Sequence, residues 1–327
     1  MFLRPARIPL NGTVHMFERL IHADWSAHNK KKWMTTADRM PQGWQVAAPR
    51  LVPGAPEFFD RWLFGGRRVL AGFDFPIGVP AAFGKRTGFG DFPEALAEFG
   101  SGEWKEFFCV ADRPEDITLR RPFYPQTYPR GRRQAHLLGA LGVKTMDELR
   151  RACERKTPSR RAACSVFWTL GGNQVGKAAI DGWKSVIQPA LRGGARLWPF
   201  QGRLDELSKS PGCVLCETYP QEAYLHVGVC FRPSGGKRIQ EDRRDAGAPV
   251  IRWAERQGVS FADDARKNLL DGFGPSVSGE DPFDALVGLL SMIEVVDRRR
   301  DEGSASAADV ITWEGWILGQ RSPALSS

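Results

Sequence analysis

Three apolar, strand-like segments of this chain each end on an acid. Asp24 closes Phe17-Glu-Arg-Leu-Ile-His-Ala-Asp24, Asp74 closes Val69-Leu-Ala-Gly-Phe-Asp74, and Glu217 closes Cys213-Val-Leu-Cys-Glu217. A fourth acid, Asp284, stands at the start of the apolar helical stretch Asp281-Pro-Phe-Asp284-Ala-Leu-Val-Gly-Leu-Leu. Strands disfavour Asp and Glu, and an unpaired carboxylate in a low-dielectric interior is costly unless a cation or a donor compensates it. A fold that gathers these segment ends must supply a shared positive partner, and a divalent metal is the simplest one.

The order of the segments narrows the fold. After the strand ending at Asp24, Lys32-Trp-Met-Thr-Thr-Ala and Trp44-Gln-Val-Ala-Ala read as two further strands of a meander. Pro56-Glu-Phe-Phe-Asp-Arg-Trp-Leu-Phe is amphipathic and stops at Gly65-Gly66, so it reads as a short helix feeding the strand that ends at Asp74. The resulting β-β-β-α-β order resembles the start of a ribonuclease H-like domain, an α/β fold with a mixed five-stranded sheet flanked by helices. From Pro76 to Arg161 the pattern turns helical and irregular, and residues 76–161 read as a helical insertion. Strand-like pieces return at Cys164-Ser-Val-Phe-Trp-Thr-Leu, Ala195-Arg-Leu-Trp-Pro-Phe and Cys213–Glu217, and helices follow near Gly247–Gln257, Phe261–Leu270 and Phe283–Val296. Residues 303–327 form a tail whose Trp313 and Trp316 are expected to dock back on the body. The 327 residues, 42% of them hydrophobic, suit a single domain with an ample core.

The net charge of +8 is local: residues 113–161 hold thirteen Lys/Arg and five Asp/Glu, which accounts for the whole excess. That segment also carries Phe123, Tyr124 and Tyr128, read here as exposed aromatics. Cations with aromatics suit a nucleic-acid backbone with stacked bases, DNA or RNA, although a solvated Arg-rich surface reads the same way. Arg120, Arg121, Arg130, Arg132, Arg133, Arg160 and Arg161 are the candidate phosphate contacts. No apolar run approaches the ~18 residues of a membrane helix, and the N-terminal stretch lacks the apolar core of a signal peptide. Six scattered cysteines fit reduced thiols, so the expected location is cytoplasmic.

In a meander followed by a crossover, the first strand and the strand after the crossover lie side by side and parallel, ~4.8 Å apart, with their carboxyl ends opening on one crevice. Asp24 and Asp74 would meet there, Glu217 would join from a further parallel strand, and Asp284 would project from its helix. Carboxylates clustered in this way hold two divalent ions, Mg²⁺ or Mn²⁺, about 3.5–4 Å apart for phosphodiester hydrolysis. Asp281 precedes Pro282 and reads as the N-cap of the helix, with a fifth ligand as the alternative. Asp24 and Asp74 also stand where Asp commonly caps turns, and Glu217 could pair with an Arg.

At these residues the chain resembles a known family. Gly72-Phe-Asp-Phe-Pro-Ile-Gly-Val-Pro, Cys216-Glu-Thr-Tyr-Pro, Asp281-Pro-Phe-Asp-Ala-Leu and Ala23-Asp-Trp-Ser look like the signature stretches of domain-of-unknown-function family 429, a family predicted to be ribonuclease H-like nucleases. Ser165-Val-Phe-Trp and Trp198-Pro-Phe also match, so the resemblance runs from about residue 20 to 320. It implies a metal-dependent nuclease.

Competing signals are weaker. Gly171-Gly-Asn-Gln-Val-Gly-Lys177-Ala178 nearly spells a phosphate-binding loop, but Ala178 replaces the magnesium-binding hydroxyl. Lys177 remains a candidate substrate contact. Cys213 and Cys216 are three apart on a strand and so point to opposite faces, which argues against zinc. A non-enzymatic nucleic-acid-binding module and a phosphotransferase on the related sugar-kinase-like fold are the alternative functions.

Overall fold

The computed structural model describes residues 16–127, 131–156, 161–170, 175–303 and 307–321. Among these residues eight strands form one mixed sheet: β1 (Arg19–Asp24), β2 (Trp33–Met40), β3 (Gly43–Val46), β4 (Arg50–Leu51), β5 (Arg68–Phe73), β6 (Arg196–Leu197), β7 (Gly212–Glu217) and β8 (Val259–Phe261). Their spatial order is β6-β7-β5-β1-β2-β3-β8, with β4 pairing to β2 off this path. β1, β2 and β3 are the antiparallel meander, and β5 returns parallel to β1, with Ala23 opposite Phe73. β7 extends the parallel set, with Phe73 opposite Glu217. The chain is thus α/β with helices on both faces of the sheet. The five strands expected become eight because β6 and β8 extend the two edges and β4 pairs with β2; β6 lies within the strand-like stretch Ala195–Phe200, whereas β4 and β8, of two and three residues, carry too little periodicity to be read.

Alternation along the strands divides the core into two layers. Ile21, Ala23, Val69, Ala71, Phe73, Cys213 and Leu215 face one side, against Phe92, Phe107, Phe123, Phe167 and Trp183. Leu20, Leu70, Val214 and Cys216 face the other, under Phe283, Leu286, Leu289 and Leu290 of the helix Glu280–Val296. Fourteen of that helix's seventeen residues are buried, so its apolar run belongs to the core and not to a membrane. Among the described residues no helix is long and apolar enough to cross one.

Among the described residues, the segment 76–161 contains only short helices, at Ala81–Gly84, Phe92–Glu98 and Ala135–Ala140, and 3₁₀ turns. It is a layer of the core. Phe123 and Tyr124, read as exposed from their charged neighbours, are fully buried. Their neighbour Tyr128 lies outside the described residues. Cys164–Leu170 is apolar yet forms no strand: Trp168 N–H turns back to the Ser165 carbonyl (3.0 Å), and Trp168 makes a single bridge to Tyr124. Trp313 and Trp316 of the tail are buried, as their apolarity requires.

Candidate functional site

The helix Glu280–Val296 crosses the sheet unusually closely, and two glycines allow it. A Cβ on Gly288 would lie 2.2 Å from the His22 ring, and one on Gly72 would lie 2.7 Å from Met292 and from Thr218. Because residues four apart share a helix face, seating Gly288 over His22 carries Asp284 to the end of β1, where Asp24 lies two residues beyond His22 on the same sheet face. His22 is fully buried; its Nδ1–H donates to the Ala285 carbonyl (3.0 Å) and its Nε2 accepts from the Thr218 hydroxyl (2.8 Å). Burial lowers its pKa to about 4, so the ring is neutral at physiological pH and serves as a fixed bridge between helix and sheet.

At that edge Asp24 and Asp74 are level on adjacent strands and share a hydrogen bond between their carboxyl groups. Burial raises the Asp24 pKa well above the ordinary carboxylate range, and Asp74 raises it further. Burial also raises Asp74, to about 6, although it accepts from Asp24 and from the Trp25 backbone N–H (2.6 Å). Asp284 is buried, and burial raises its pKa against the opposing pull of Lys237 and Tyr224. The Lys237 ammonium donates to Asp284 Oδ2 and the Tyr224 hydroxyl to Asp284 Oδ1. Burial lowers the Lys237 pKa but the Asp284 carboxylate outweighs it, so the net shift is upward and the cation is retained. Asp281, also raised to about 6 by burial and by Glu280, stands one turn before Asp284. It is not the N-cap: the 3₁₀ turn Val277–Gly279 runs into the helix, which makes Gly279 the cap and puts Asp281 in the first turn.

Lys237 is held in place from behind. Its carbonyl accepts from Arg243 Nη1 (2.6 Å), and the preceding Gly236 N–H donates to Asp242 Oδ2 (2.7 Å). Arg243 is fully buried and also bonds the carbonyls of Gly272, Gly274 and Ser276. Neither Lys237 nor Tyr224 carries a local sequence signal; only the tertiary fold brings them to the acids.

Glu217 does not belong to this group. The register sets it opposite Phe73, so Thr218 is the residue level with Asp74, and Glu217 points to the other face. A displacement of one residue on a strand reverses the face. There both its oxygens meet Arg151, Nη1 at 2.6 Å and Nη2 at 2.7 Å, and Oε2 also accepts the Ile77 N–H (2.7 Å). Arg151, 1% exposed, further bonds Glu154 (2.9 Å) and the Glu314 carbonyl (3.1 Å). The Glu314 carboxylate accepts the backbone N–H groups of Ala81 and Ala152. This buried knot ties β7, the 76–161 layer and the tail together.

The candidate phosphate contacts are also dispersed. Arg120 pairs with Glu103, Arg121 donates to the Val110 carbonyl (3.0 Å), and Arg132 pairs with Asp112 (3.2 Å) beside the Tyr124 ring. Arg133 and Arg161 are exposed, without an ion-pair partner among the described residues. Arg130 and Arg160 lie outside the described residues, as do Gly171–Gln174 of the glycine-rich stretch. Lys177 stands in the helix Val175–Gly182. Cys213 and Cys216 face opposite layers, in line with the strand parity that argues against a shared zinc.

Among the described residues no group of three or more His, Cys, Asp or Glu side chains stands at metal-holding distances in this arrangement. The donor chemistry is nevertheless that of a hard cation: Asp24, Asp74, Asp284 and Asp281 offer only oxygens, and their pKa values are raised chiefly by burial, with Lys237 opposing the shift at Asp74, Asp281 and Asp284. Comparison with protein-family models, curated proteins and solved structures finds no match to the chain.

Proposed function

We propose that the protein is a metal-dependent nuclease of the ribonuclease H-like class, related to domain-of-unknown-function family 429, which hydrolyses phosphodiester bonds in nucleic acid with Mg²⁺ or Mn²⁺. The observation that carries this reading is the gathering of Asp24, Asp74 and Asp284 at the carboxyl ends of two parallel strands, each with its pKa raised by burial. Asp24, Asp74 and Asp284 would hold the metal, with Asp281 at the rim. Bound there, divalent ions would activate a water and stabilise the leaving oxygen. The chain's own residues orient the site: His22 and Thr218 fix the helix to the sheet, Trp25 N–H aims the Asp74 carboxylate, and the loop clamped by Arg243 presents the Lys237 ammonium where a phosphate oxygen could meet it.

The Lys237–Asp284 pair favours a second reading. A site in which Asp284 already holds a cation of the chain's own suits a nucleic-acid-binding module that does not cut. Incubation with labelled single- and double-stranded DNA and RNA, with Mg²⁺ or Mn²⁺ and with excess chelator, separates the two. Cleavage that appears with the metal and stops with the chelator is the expected result. Binding without cleavage under every metal condition would favour the binding module.

A further inference from the structure

Beside the acid site lies a cleft of about 820 Å³, at the upper end of the ~300–1,000 Å³ usual for small-ligand sites. It runs between Phe108 and Val110 on one side and Lys177, Ile180, Asp181 and Lys184 on the other. Its connection to the acids is a single residue. Trp25 donates its backbone N–H to Asp74 (2.6 Å) and its indole Nε1–H to Asp181 (2.8 Å). Ala27, two residues on, lines the cleft itself.

The sign of the cleft follows from its pairings. Asp181, the one acid among the described residues of its lining, is already paired with Lys32 (2.6 Å), whose ammonium also sits over the Trp25 ring at 4.5 Å. Lys177 and Lys184 have no ion-pair partner among the described residues. Lys184 stands 5.8 Å from the Phe108 ring centre, and Phe108 is only half-buried. Two free ammonium groups beside an accessible ring match a phosphate backbone whose base has left a duplex: stacking on an aromatic face requires an unpaired, splayed base.

We infer that this cleft seats a single-stranded segment of the nucleic acid next to the acid site, with Lys177 and Lys184 against its phosphates and Phe108 under a base. The inference rests on the nuclease reading for the identity of the neighbouring site, and it moves the substrate contacts from the arginines of residues 113–161, several of which are paired, to the helix beginning at Val175.

The test is fluorescence anisotropy with fluorescein-labelled oligothymidylate and oligouridylate, in chelator so that nothing is cut, together with cleavage of the same oligonucleotides in Mn²⁺. The doubly substituted Lys177→Ala, Lys184→Ala protein is expected to bind at least about tenfold more weakly, with the slope of log K against log salt reduced by roughly 1.4, the value for two phosphates on a single strand. Phe108→Ala should weaken binding by roughly five- to 150-fold, the range for one lost base stack. Phe108→Leu, which keeps the apolar packing, should still lose most of that, so a folding defect is distinguishable. Wild-type affinity and salt slope in both the lysine and the Leu variants would overturn the inference. If that happens while the wild type cleaves, the cleft fails and the nuclease reading stands. If the variants lose binding while the wild type cleaves neither these oligonucleotides nor the duplexes, the cleft stands and the nuclease reading fails. If the wild type binds neither oligonucleotide, the cleft falls, and cleavage of the duplexes decides the nuclease reading.

Discussion

Asp74→Asn is expected to lower nuclease activity by at least about a hundredfold, the scale for losing one electrostatic group in a preorganised site, while leaving the fold intact. The amide can still accept the Trp25 N–H through Oδ1, and its NH₂ can donate to Asp24, so the strand-end geometry is preserved. The stability effect has the opposite sign. Asp74 titrates at about 6 in the folded protein against 3.8 ordinarily. A folded pKa that is raised contributes stability below the unfolded value, and this is lost as pH rises through the folded one. In chelator the wild type should therefore lose stability between about pH 4 and pH 6 relative to the variant. At neutral pH the variant should be more stable by an amount on the order of 2 kcal/mol. Denaturant melts at pH 3.5 and 7.5 check this. An active variant, or an advantage as large at pH 3.5 as at 7.5, would contradict the placement of Asp74 in a carboxylate cluster.

The largest stability loss is expected at Arg151. Arg151→Met keeps the volume but leaves Glu217 and Glu154 without their guanidinium in a site where all three residues are at most 5% exposed. Removing one partner of a buried ion pair costs about 3–5 kcal/mol, because the remaining charge is uncompensated. Adding Glu217→Gln should recover a substantial part of it. The same pair of variants separates structure from chemistry: Glu217→Gln alone should be destabilised yet retain cleavage, since Glu217 faces away from Asp24 and Asp74. Guanidinium denaturation and the cleavage assay read the two effects. A loss below about 1 kcal/mol in Arg151→Met, or abolished cleavage by folded Glu217→Gln, would mean that Glu217 serves the acid site after all.

What could be read in the sequence was the part governed by local pattern. The meander, the parallel return of β5 and the long helix Glu280–Val296 follow from apolar runs separated by turn residues, and Asp24 and Asp74 stood out because acids are costly at strand ends. Glu217 was drawn into the same group by the same signal. Separating it required the register between β5 and β7, which places Thr218 beside Asp74, and register is a property of pairing that no single strand encodes. Lys237 and Tyr224 carry no such signal, because their partner, Asp284, is distant in the chain. Charged neighbours make the interior crossing at Phe123 and Tyr124 look like a surface. The arginines of residues 113–161 set the net charge, but the acids that pair with several of them, Glu103 and Asp112 among them, lie just outside that window.

Anomalous diffraction from crystals grown in chelator and then soaked in Mn²⁺ tests most directly whether Asp24, Asp74 and Asp284 form a divalent-metal site. The expected result is manganese density between these three carboxylates, with the Lys237 ammonium moved off Asp284 and the direct hydrogen bond between Asp24 and Asp74 broken. A saturating soak that leaves the Lys237–Asp284 and Asp24–Asp74 contacts intact, with no manganese between them, would contradict it.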